Sequence, residues 1–127
     1  DIRFGLAICY DLRFPELFSI MANDCEAMIV IANWPAARAD HWNTLLKARA
    51  IENECVVLGV NRVGNDGNGI VYEKGSIVIT PDGSTKKPIN SSLLFDIYHI
   101  EKQQINKYRN NFPTIQDKRF SLYKRYL

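Results

Sequence analysis

Metal-holding side chains are scarce in this chain of 127 residues: it has two histidines, His41 and His99, and three cysteines, Cys9, Cys25 and Cys55. No C-x-x-C pair occurs and no ligand spacing joins the histidines to the cysteines, so no metal is expected. The odd count and wide spacing also argue against a disulfide framework and for a reducing, cytoplasmic setting. No apolar run reaches the roughly 20 residues that span a bilayer, which predicts no membrane partner. Asp1-Ile2-Arg3 carries neither a basic leader nor a small-residue cleavage site, so no signal peptide is expected. A charge of one sign is missing as well. Sixteen basic and fourteen acidic residues leave +2, too little for a nucleic-acid footprint. Repeats and low-complexity tracts are absent, and 46% apolar residues are enough for a packed core. The glycine-rich run Gly64 to Gly69 follows no phosphate-loop pattern and precedes no helix, so it reads as a turn, and no cofactor is expected.

What is present is concentrated near position 9. Gly5-Leu6-Ala7-Ile8 is an apolar, strand-like run that ends at Cys9. Tyr10-Asp11-Leu12-Arg13-Phe14-Pro15-Glu16 follows at once and is polar and helix-starting. This pattern predicts a thiol at a sharp strand-to-helix turn. There a helix N-terminus favours thiolate, and backbone N–H groups can face a developing oxyanion. The competing reading of Cys9 is a buried small hydrophobe. The abrupt change from interior to polar residues around it favours the nucleophile.

Periodicity organises the rest. Residues 3–9 and 27–33 read as buried strands with a helix over 15–23 between them, which implies a right-handed parallel crossover. Trp34-Pro35-Ala36 breaks the pattern, and a long helix is expected over 37–54. A third strand follows over 56–63. Residues 70–72 and 76–80 form a hairpin-like pair, with Pro81-Asp82-Gly83 as a turn. A further strand is expected over 93–97 and a short helix over 100–107. One domain results, an α/β body over 1–107 with a C-terminal arm over 108–127. In the arm, Lys118, Arg119, Lys124 and Arg125 alternate with Phe120, Tyr123 and Tyr126. It reads as a packing arm rather than an RNA- or membrane-binding one. The fold class is α/β with a mixed sheet, and that sheet is expected to leave an edge and one apolar face uncovered.

Five motifs in order resemble the C-terminal half of a nitrilase-superfamily carbon–nitrogen hydrolase. They are the segment Ile8 to Glu16; Asn33-Trp34-Pro35 with Arg38 and Trp42; Ala48-Arg49-Ala50-Ile51-Glu52-Asn53; Gly59 to Gly64 with Asp66-Gly67-Asn68; and Tyr108-Arg109 with Phe112-Pro113, Asp117 and Phe120. The ω-amidase branch is the most similar. One departure stands out: Tyr72-Glu73-Lys74-Gly75-Ser76 shifts by one place the glycine of the family's Tyr-x-Gly-x-Ser pattern. The resemblance implies half of a four-layer α-β-β-α sandwich and a Glu–Lys–Cys triad, of which only the cysteine carries over, onto Cys9. The glutamate and lysine would lie before position 1, so the chain alone is expected to be inactive.

The activity implied is a thiol-dependent amidase acting on a small ω-amide of a 2-oxo acid, such as 2-oxoglutaramate, and releasing ammonia. Cys9 would be the nucleophile and the N–H of Tyr10 an oxyanion donor, with the Tyr10 ring lining the pocket. Arg13 would meet the substrate carboxylate; its alternative is an ion pair with Asp11 or Glu16. Asn33 and Trp34 end the strand beside Cys9, where ligand crevices open, although turn chemistry for Asn33 and plain packing for Trp34 are the more common fate of these residue types. His41 reads as a helix-start cap or surface group rather than a base. Arg49 and Glu52 are spaced for an i,i+3 ion pair. Cys25 and Cys55 read as structural. The expected partners are a small-molecule amide and a second copy of the chain, as a homo-oligomer (a dimer). The alternatives are a truncated, catalytically dead interaction module and a redox-sensing thiol, the latter disfavoured by the lack of a nearby resolving cysteine.

Overall fold

A computed structural model of the chain describes residues 1–126. The elements run β1 (Phe4–Ile8), a 3-10 turn (Cys9–Arg13), α1 (Pro15–Met21), β2 (Ala27–Ala32), a 3-10 turn (Ala36–Arg38), α2 (Ala39–Glu52) and β3 (Val56–Asn61). The short strands β4 (Gly64–Asn65), β5 (Val71–Tyr72), β6 (Ile77–Ile79), β7 (Thr85–Lys86), β8 (Asn90–Ser91) and β9 (Asp96–Ile97) follow. The chain then forms α3 (Lys102–Asn111), a 3-10 turn (Thr114–Asp117) and α4 (Phe120–Tyr123).

The main sheet has the order β1-β2-β3-β6-β7. Its first three strands are parallel and the last two antiparallel, so it is a mixed sheet. The parallel strands are apolar on both faces. Their register sorts the side chains. Met28 and Val57 lie on one row and Ala7, Val30 and Gly59 on the next, all facing α1 and α2. Phe18, Leu46, Ala50 and Trp42 close this core from the helix side. On the opposite face Ile105 of α3 packs on Ala27, Val56 and Val78 and covers one end only. Leu6 (71% exposed), Ile8, Ile31 and Val60 remain open to solvent, and β1 is an uncovered edge.

Several elements differ from the sequence expectation. Residues 70–72 and 76–80 do not pair with each other. Val71–Tyr72 returns onto Gly64–Asn65, and Ile77–Ile79 joins the main sheet against β3. The Asp66 carboxylate explains the first pairing: it accepts the N–H groups of Asn68 and Ile70 at 2.8 and 3.0 Å and closes the turn tightly. The strand expected over 93–97 shrinks to Asp96–Ile97, because the Ser92 hydroxyl accepts the N–H groups of Leu94 and Phe95 and holds them in a tip. Helix α3 runs through the boundary drawn between 107 and 108. The arm after it bonds to the body: Lys118 donates to Ser19 and Asn53, and the Thr114 N–H donates to the Glu54 carboxylate.

Candidate active site

Strand β1 turns into helix at Cys9, which has φ +47°. A side chain in the left-handed region is strained by about 1–2 kcal/mol, so the turn must be held from outside. It is held at both ends. The Asp11 carboxylate accepts the Ile8 N–H at 2.8 Å. The Arg49 guanidinium donates to the Leu12 carbonyl twice, at 2.7 and 3.1 Å. The N–H groups at the start of the turn, that of Tyr10 among them, have no partner within it.

All five residues nominated from the sequence line one open cavity of about 360 Å³: Cys9, Tyr10, Arg13, Asn33 and Trp34, joined by Pro35 and Arg38. Cys9 is half-buried there. Arg13 makes neither of the ion pairs considered for it. Its guanidinium lies over the Trp34 ring at 4.9 Å and the Tyr10 ring at 5.7 Å. Trp34 is fixed on both sides of its backbone by Asn61: its N–H donates to the Asn61 side-chain oxygen at 2.7 Å, and its carbonyl accepts the Asn61 amide at 2.9 Å. The Trp34 indole N–H donates to the Arg38 carbonyl at 2.8 Å. Behind it stands Trp42, ring centroids 5.4 Å apart, anchored by its own N–H to the Gly75 carbonyl. The glycine shifted in the 72–76 motif therefore still serves the site, through its backbone.

Sequence reasoning overlooked three of these groups. Asn61 was legible only as part of a motif, because its partner lies 27 residues away. Arg38 was noted but given no place in a pocket. Arg49 does pair with Glu52 at 3.0 Å, as its spacing suggests, but its contact with Leu12 crosses 37 residues and leaves no local signal. His41 is exposed and absent from the cavity lining. The other two thiols stand in different surroundings. Burial pushes the Cys55 thiol up to about 12, and burial, then Asp24, raise that of Cys25.

The site thus places a half-buried thiol at a strained strand-to-helix turn on a mixed α/β sheet, with an arginine in the same cavity. The chain belongs to the carbon-nitrogen hydrolase family, whose model matches residues 1–91. It is 44% identical over 111 residues to the omega-amidase YafV of Escherichia coli, a match covering 87% of this chain and 43% of that protein. It is 33% identical over 126 residues to the 2-oxoglutaramate amidase of Paenarthrobacter nicotinovorans, covering 94% and 40%. A CN-hydrolase superfamily protein of Xanthomonas campestris, crystallised with an arsenic adduct in its active site, superimposes with a TM-score of 0.78 at 36% identity, over 92% of this chain and 47% of that one. The chain thus spans less than half the length of the relatives it matches.

Proposed function

We propose that this chain supplies the nucleophile and one wall of the substrate pocket of a thiol-dependent amidase acting on the ω-amide of a small 2-oxo acid. The observation that carries the reading is the single cavity shared by Cys9, Tyr10, Arg13, Asn33 and Trp34. In this scheme the Cys9 sulfur attacks the amide carbon, and a glutamate takes the thiol proton. The oxyanion accepts hydrogen bonds from the Tyr10 N–H and from a lysine. The C–N bond then breaks, the glutamate returns the proton to the departing ammonia, and water hydrolyses the thioester. Arg13, stacked and free of a carboxylate partner among the described residues, meets the substrate's own carboxylate as a planar donor.

The residues lining this cavity include no Asp, Glu, Lys or His. In this scheme the base and the lysine are supplied by groups other than this lining, and the chain alone is expected to release no measurable ammonia from 2-oxoglutaramate. Cys9-dependent turnover by the isolated chain overturns that statement. The nucleophile assignment has its own test, mass-spectrometric mapping after limiting iodoacetamide. Cys9 is expected to be modified first, with Cys25 and Cys55 lagging because burial holds their protons. Equal labelling of all three, or labelling of Cys25 before Cys9, removes the basis of the reading. Three unpaired thiols fit a reducing cytoplasm. The open apolar sheet face supports self-association of the isolated chain, with a second copy covering it.

A further inference from the structure

We infer that Arg49 is a positioning residue for the nucleophile, acting through the Leu12 carbonyl and touching neither Cys9 nor the cavity. The inference rests on the nucleophile reading of Cys9. Arg49 is 4% exposed and sits on α2, a different element from the one it serves. Two of its donors converge on one carbonyl of the turn, at 2.7 and 3.1 Å. A third donor goes to Glu52 at 3.0 Å, and the guanidinium lies 5.4 Å from the Phe18 ring. The Asn53 amide donates to the Arg49 carbonyl at 3.0 Å, and Lys118 donates to Asn53 at 2.9 Å. The guanidinium is thus held by Leu12, Glu52 and the Phe18 ring, and the Arg49 backbone by Asn53.

The physical need is specific. Cys9 sits at φ +47°, where a side chain stays only if its surroundings over-determine it. The turn is five residues long; the Asp11 carbonyl accepts the Phe14 N–H, and the Leu12 carbonyl after it is held by Arg49. Asp11 fixes the entrance of the turn through the Ile8 N–H, and Arg49 fixes its exit. Remove the exit bond and a buried carbonyl is orphaned, so the turn relaxes to recover it. The sulfur and the free N–H groups at the start of the turn then lose their common alignment. Lysine at this position keeps the charge but not the fork, and methionine keeps only the bulk.

The test uses acrylamide, an amide-bearing electrophile small enough for the cavity, on the chain and its Arg49→Lys and Arg49→Met variants. Cys25 and Cys55 serve as internal standards, read by peptide mass spectrometry. Adduct formation at Cys9 is expected to fall about tenfold for methionine and less for lysine, with Cys25 unchanged and Cys55 still protected. Hydrogen exchange is expected to quicken over residues 9–14 and to stay slow in β2 and β3. Glu52→Gln, which frees one side of Arg49, shifts Cys9 the same way by a smaller factor. Undiminished Cys9 labelling in Arg49→Met overturns the inference. So does exposure of Cys55 in step with the loss at Cys9, since that marks a general structural role. A wild-type Cys9 that reacts no faster than Cys25 defeats the nucleophile reading itself, a separate outcome.

Discussion

Gly59 shows how a single side chain, or the lack of one, sets the site. It lies on the row of β3 that faces α2, where a Cβ would stand 2.4 Å from Leu46 Cδ1 and 2.8 Å from Trp42 Cζ2. Leu46 is fully buried in the core. Trp42 cannot turn away, because its indole N–H is bonded to Gly75 and its ring backs Trp34 in the cavity wall. Gly59→Ala is therefore expected to destabilise the chain by about 1–3 kcal/mol, the usual range for overpacking a filled core. The urea midpoint measures this, and an unchanged midpoint means Trp42 is not held as described. Gly59 was visible beforehand only as one letter of a motif. The volume it must leave empty belongs to side chains 13 and 17 positions away, and no local pattern encodes it.

The elements are joined by polar staples, and the buried Glu26 is one that responds to acid. It stands between β1 and β2 and binds α3: its carboxylate accepts the Arg3 N–H at 2.7 Å and pairs with Lys102 at 2.9 Å and with Arg3 at 3.3 Å. Burial opposes its ionisation, but the Arg3 N–H, Lys102 and the Arg3 guanidinium together outweigh burial and bring it down to about 2. An unfolded glutamate titrates near 4.3. The carboxylate's contribution is thus fully present above that value and is lost as pH falls toward 2. Wild type is expected to be more stable than Glu26→Gln at pH 6, with the gap closing between about pH 4.5 and 2 in thermal melts. A gap that stays constant over that range removes the ion pair from the account. A second staple, Arg109, donates to the carbonyls of Glu54 and Cys25 at 2.8 and 2.9 Å and fixes α3 to the loops before β3 and β2. Each strand and helix of the first half was legible from periodicity, because each buries one face locally. The expected hairpin was misjoined and the strand over 93–97 drawn too long, because turn chemistry at Asp66 and Ser92, rather than hydrophobic pattern, decides these short segments.

Taken as one body, the chain is asymmetric. Two helices cover one side of the sheet, and a single helix covers one end of the other. Leu6, Ile8, Ile31 and Val60 form a contiguous open row set across β1, β2 and β3. Apolar surface of that kind is covered by association in solution. The isolated chain is expected to sediment above monomer mass at tens of micromolar, and Leu6→Lys with Ile31→Lys to return it to monomer. A wild-type monomer at those concentrations refutes self-association through this face.

The linear order of residues was sufficient to announce a thiol at a strand-to-helix turn at Cys9, its neighbours Tyr10 and Arg13, and an α/β sheet with parallel strands. Those features depend on runs of a few residues and on repeats of two and 3.6. Folding alone brought Arg38 to the same cavity as Cys9, laid Arg13 on two aromatic rings, and sent Arg49 and Asn61 across 37 and 27 residues to fasten the walls. The physical reason is that hydrophobic period is local, whereas a hydrogen bond between distant segments depends on where packing has already placed both ends.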